Sequence, residues 1–182
     1  MAKKIAYKNK QSGFTLIEVV IYLALFSMIM SGAIVSVYSI IESSGRNQTK
    51  AMVQEEGGFL LGKIDWTLTD VKINYPSGIA EINSPTLDST ENTLSLIKYE
   101  AGMPVNIIIN ISNDKMTLER SGNLYPLNND NVSVKCPPLP KNCFIRLNDE
   151  IESIEANFIL STKTPEGLNY EQKFSTIKYL RK

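Results

Sequence analysis

Val19 to Ile41 is a run of 23 residues without one charged side chain, bounded by Glu18 and Glu42. As a helix rising about 1.5 Å per residue it reaches ~35 Å, more than the ~30 Å of a hydrocarbon core, so the pattern predicts one membrane-spanning helix. The rival is a buried core helix, but a helix in a soluble domain seldom runs this far without a polar face. Beyond Ile41 the composition becomes mixed. Val53, Leu60, Leu61, Ile64, Leu68 and Val71 then fall at helical spacings, which predicts a continuing helix with one apolar stripe packed on a sheet. Gly57 and Gly58 oppose that continuation, since a glycine inside a helix costs up to about 1 kcal/mol relative to alanine; a kink or local break is expected there.

From "NYPSG" (74–78) onward, turn residues separate short alternating runs, and the remainder reads as β-rich. In "VNIIINI", Val105, Ile107, Ile109 and Ile111 share one face and Asn106 and Asn110 the other. "SND" (112–114) turns the chain into "KMTLER", giving a hairpin over 105–120 that a strand near "LSLIKYE" extends. Ile154, Ala156, Phe158 and Leu160 alternate with mostly polar neighbours, and "TPEGLN" separates them from "YEQKFSTIKYLRK", a second hairpin. No internal repeat or long linker stands out.

Length and charge sharpen the picture. At 182 residues and 43% apolar content, the chain fits an anchor and one small domain. Its 19 basic and 19 acidic residues balance only formally, because Lys3, Lys4, Lys8 and Lys10 precede Gly13 and no acid does. Taking those four lysines from 19 leaves 15 basic against 19 acidic residues, a net charge of −4 for residues 14–182. This argues against nucleic-acid binding driven by phosphate neutralisation, leaving room only for a local patch. Four lysines before the apolar run place the N-terminus in the cytoplasm by the positive-inside rule, so the remaining domain is exported.

Glu18 is the odd residue. A carboxylate at the edge of hydrocarbon is penalised by several kcal/mol unless paired, which makes it a functional hypothesis in search of a partner. A secretory signal places its apolar stretch before the cleavage site. Here the order is reversed: lysines, Gly13, then the apolar run, so a cut at Gly13 removes only the charged leader. This basic leader followed by "GFTLIEV" (Gly13, Phe14, Thr15, Leu16, Ile17, Glu18, Val19) resembles the type IV prepilin signal shared by pilins and type II secretion pseudopilins, over roughly the first 41 residues.

The resemblance implies that a prepilin peptidase cuts between Gly13 and Phe14 and methylates the new amine of Phe14. It implies that Glu18 pairs with the N-terminal ammonium of a neighbouring subunit during assembly, where two charges each costly in lipid become tolerable together. It also implies an α+β fold, with a long N-terminal helix whose second half lies on an antiparallel sheet. The expected organisation is a leader over 1–13, a transmembrane assembly helix over 14–41, an amphipathic continuation over 42–73 and an exported β-rich head over 74–182. Implied partners are the peptidase, other pilin or pseudopilin subunits, an inner-membrane assembly platform and membrane lipid. The absence of proline before Pro76 departs from many major pilins.

Other readings compete at particular residues. Thr15 and Glu18 also match a helix capping box, and a carboxylate in the first turn suits the helix dipole without any partner. Cys136 and Cys143 enclose "PPLPKN" on the exported side; a disulfide is the simplest reading and two free thiols the alternative. With no histidine and only these two cysteines, a zinc site and the usual Ser-His-Asp or Cys-His catalysis lack their residues. Asp65 and Asp70 fall on different helix faces, and "NNDN" (128–131) reads as a polar turn before a calcium site. No cofactor is implied. A functional alternative is a single-span receptor whose head binds DNA or a surface ligand with no filament.

Overall fold

The computed structural model describes residues 13–69, 71, 80–86, 89–100, 103–138, 142–148 and 152–180. Residues 1–12 of the leader, Asp70 and the turn expected at 74–78 lie outside the described residues. The chain divides into two units, residues 1–44 and 45–182, and the fold class is α+β: one long helix, α1 (Leu16–Leu68), followed by antiparallel strands.

In the first unit, α1 is exposed throughout its apolar run, and its most apolar stretch has a mean hydropathy of 2.2 with none of it buried. Ser27, Ser31 and Ser36 donate to the carbonyls of Leu23, Met28 and Gly32 at 2.8 to 2.9 Å. Those hydroxyls are thus satisfied within the helix, which suits a segment with no water beside it.

In the second unit, Val53, Leu60, Ile64 and Leu68 of α1 are buried, as is Val71, while Leu61 packs at the margin. The expected apolar stripe is therefore the buried face. The strands form two antiparallel sheets. One has the order β1 (Ala80–Ser84), β3 (Thr93–Glu100), β4 (Met103–Ser112), β5 (Lys115–Arg120), β6 (Asn123–Pro126). The other has the order β10 (Asn169–Tyr179), β9 (Glu152–Lys163), β8 (Phe144–Asn148), β2 (Thr90–Glu91), with β7 (Ser133–Lys135) also on β9. Both sheets and α1 contribute to one core cluster, in which Ile107, Ile109 and Ile111 of β4 meet Leu94 and Leu96 of β3, Phe158 and Leu160 of β9, and the helix stripe.

The turns follow local chemistry. Ser112 pairs with Lys115 around Asn113 and Asp114, both at positive φ (51° and 62°), the geometry of a two-residue hairpin loop that suits Asn and Asp. Ser121 and Gly122 repeat it between β5 and β6, at φ 50° and 82°.

No break occurs at Gly57 and Gly58; α1 runs through both. The expectation fails because tertiary packing outweighs helix propensity. A Cβ built on Gly57 falls 2.2 Å from Cε1 and Cζ of Phe174, whose ring stacks on Phe158 at 5.6 Å, so the absent side chain is what admits the β10 aromatic. A Cβ on Gly58 meets nothing within 4 Å. The β9–β10 hairpin holds the helix at two further points: Arg46 donates from Nε and Nη2 to the two carboxylate oxygens of Glu166, each at 2.9 Å, and Lys178 pairs with Asp65 at 2.5 Å. The last turn of α1 contains no basic residue. A strand supplies the cation instead: Lys98 of β3 donates to the Trp66 carbonyl at 2.9 Å, where the negative end of the helix dipole lies.

The two glycines should therefore respond with opposite signs. Gly57→Ala is expected to lower stability by about 1 to 3 kcal/mol through overpacking, and Gly58→Ala to raise it by up to about 1 kcal/mol through helix propensity. Denaturant unfolding of the full chain in detergent, followed through the fluorescence of Trp66, the single tryptophan, measures both.

Candidate functional site

At the start of α1, sequence dictates a tight cluster. Thr15 precedes the first helical residue, Leu16, and its carbonyl accepts from the Glu18 and Val19 amides at 3.1 and 3.3 Å. Its hydroxyl oxygen accepts from the Glu18 amide at 3.4 Å. Glu18 Oε2 in turn accepts from both the amide and the hydroxyl of Thr15 at 3.5 Å. The capping box is thus present as long hydrogen bonds. One turn on, the Tyr22 hydroxyl donates to Glu18 Oε1 at 3.4 Å, and the Tyr22 ring stands edge-on to Phe14 with centroids 6.3 Å apart. Glu18 and Tyr22, four apart, share a helix face, and Phe14 lies just ahead of the helix four residues before Glu18.

Glu18 is half-buried, whereas every other residue from 13 to 44 is exposed. Its shielding comes from its own chain. Gly13 and Phe14 lie before the helix, exposed, with nothing within 4 Å of where a Gly13 side chain would project. The Phe14 nitrogen is peptide-bonded to Gly13 in this chain, so an ammonium arises there only if that bond is cut. Sequence reasoning singled out Gly13, Phe14 and Glu18 and missed Tyr22. The available signal was a phenol four residues after the acid in an otherwise apolar stretch.

The other candidates have structural partners. Cys136 and Cys143 form a disulfide. β7 and β8 occupy successive stretches of one edge of β9, pairing with residues 159–161 and 152–156, while β10 takes the opposite edge. The disulfide closes the loop between those two short strands, and Cys143 is fully buried beneath it. In "NNDN", Asn128 is buried, accepting from the Met116 amide at 2.8 Å and donating to the Val132 carbonyl at 2.6 Å. Lys115 bonds Asp130 at 2.6 Å, and that hydrogen bond with the lysine's charge holds the carboxyl below the usual aspartate range. The tie persists above the ordinary aspartate pKa and is lost as pH falls through the lowered one. The segment is a polar turn. Asp65 is engaged by Lys178, and among the described residues no group of three His, Cys, Asp or Glu could hold a metal ion.

Residues 8–34 match the family described as the prokaryotic N-terminal methylation motif. The chain is type IV pilin-like. That match spans Gly13, Phe14, Glu18 and Tyr22 and most of the charge-free run, so the cluster at the start of α1 lies wholly inside the motif. No curated protein and no solved structure matches the chain. Pilin-like proteins with this motif are processed by prepilin peptidase and assemble with other pilins, and the class is structural rather than enzymatic. The apolar helix and the motif together fit a single-pass inner-membrane protein.

Breaking the disulfide tests the strand arrangement of this pilin-like head. Substituting serine at both Cys136 and Cys143 is expected to lower stability by about 2 to 3 kcal/mol, the loop-closure value for so short a ring. The same urea titration on oxidised and reduced wild-type protein should show a matching difference.

Proposed function

We propose that this pilin-like chain is a structural subunit, a minor pilin or pseudopilin, of a type IV pilus or type II secretion filament. Prepilin peptidase cuts between Gly13 and Phe14 on the cytoplasmic side and methylates the Phe14 amine. Residues 14–41 then anchor the subunit in the inner membrane, the helix continues only to Leu68 rather than to residue 73, and the strands that follow form the exported head. At the assembly platform, the Glu18 carboxylate takes the ammonium of a neighbouring subunit, and the two charges set the register at which the subunits dock.

The observation that carries this reading is the coincidence of the methylation motif with a lone, half-shielded carboxylate five residues past Gly13 and at the head of an uncharged run. A capped helix alone needs neither the four leader lysines nor the glycine before the run. The work of such a subunit is assembly and contact rather than turnover. A filament-free receptor has the same anchor but no use for a free Phe14 amine opposite Glu18.

Mass spectrometry of the N-terminus, with and without active prepilin peptidase, is the direct test: the peptidase should yield methylated Phe14, and its absence should leave residues 1–13 attached. Retention of the leader in both samples would sink the proposal. Glu18→Gln is expected to remove the subunit from sheared filaments while leaving it in the membrane; undiminished head function without filaments would favour the receptor.

A further inference from the structure

We propose that Tyr22 is a positioning residue for Glu18, holding its carboxylate open for the neighbour's ammonium; this rests on the assembly reading above. Three serine hydroxyls of the spanning segment show the contrast. Ser27, Ser31 and Ser36 each turn back to a carbonyl of their own helix. The Tyr22 hydroxyl instead reaches one turn back to a carboxylate oxygen, Oε1 of Glu18, at 3.4 Å, while Oε2 is approached by the two Thr15 donors. Both carboxylate oxygens are thus restrained, Oε1 by Tyr22 and Oε2 by Thr15.

The arrangement leaves capacity. An ionised carboxylate offers about four lone-pair positions, and the three donors from Thr15 and Tyr22 leave part of that capacity for an incoming amine. Before docking, these donors partly replace the water that Glu18 gives up on entering the membrane, and they account for its being shielded while its neighbours are exposed. The Tyr22 ring also stands against Phe14, the residue that bears the amine after cleavage. Tyr22 thus touches both ends of the chemistry, the acid that accepts and the residue whose amine a neighbouring copy must accept. Neither contact needs a second subunit.

The test uses the full-length chain in a host that assembles the filament. Tyr22→Phe keeps the ring and removes the donor; its incorporation into sheared filaments, relative to its membrane pool, is expected to fall about tenfold, the lower range for one hydrogen bond to a charged group. Cleavage and methylation of Phe14 should be unchanged, which separates positioning from failed insertion. Infrared spectra of the purified protein in bilayers supply the second readout: the carboxyl band assigned to Glu18 by its loss in Glu18→Gln should shift in Tyr22→Phe. Normal incorporation of Tyr22→Phe overturns the proposal, and so does lowered incorporation with an unshifted band. If Glu18→Gln itself assembles normally, the pairing of Glu18 with a neighbour's ammonium has failed, and the infrared shift alone then decides whether the tyrosine holds the acid.

Discussion

Within residues 45–182, the helix can lie on the sheets only because it meets Phe174 at a residue with no side chain. The ring fills the place where a Gly57 Cβ would stand and stacks on buried Phe158. Leu60, Ile64 and Leu68 follow on the same face and are essentially fully enclosed. Burying side chains of this size stabilises by roughly 1.5 to 3 kcal/mol each, well above the helix-propensity penalty of one glycine. The exposed ion pairs at Arg46 and Asp65 add orientation more than stability, since surface pairs contribute about 0 to 1 kcal/mol.

The same helix obeys different physics in residues 16–44. There the apolar side chains are all exposed and the hydroxyls of Ser27, Ser31 and Ser36 are closed onto the backbone, leaving Glu18, at the head of the charge-free run, as the carboxylate to be reconciled with lipid. Its own chain does part of that work through Thr15 and Tyr22. One helix therefore carries two kinds of information, an apolar surface for a bilayer and a narrow stripe for a protein core.

Much of this was legible in the sequence. The charge-free run announced the helix, the alternation of Val105 to Ile111 announced β4, and the "SND" turn announced its hairpin with β5. The apolar stripe from Val53 to Leu68 named the helix face that is buried, while Val71, expected on it, is buried beyond the helix end. Other elements lacked a local signal of enough length: β7 has three residues and β2 two, and their pairing depends on distant partners. β6 was readable from Ser121 and Gly122, a two-residue turn signal that the exposed character of Asn123–Pro126 obscured. Gly57 was noticed with the wrong sign, because propensity is local and the ring that requires the glycine lies more than a hundred residues away. The Cys136–Cys143 pairing matched its simplest reading, but the division of the strands into two sheets did not follow from any single segment.

The three ties between the β9–β10 hairpin and the helix, at Arg46, Gly57 and Asp65, also set an order of events. A ribosome makes residues 45–68 well before residues 164–178, so the groove beside Gly57 stays vacant until the chain has grown past Phe174. Contacts of such sequence separation close late, after the loop entropy between them has been overcome. The head therefore matures by receiving the β9–β10 hairpin. A nascent chain carries its anchor long before it can complete the core that the same helix belongs to.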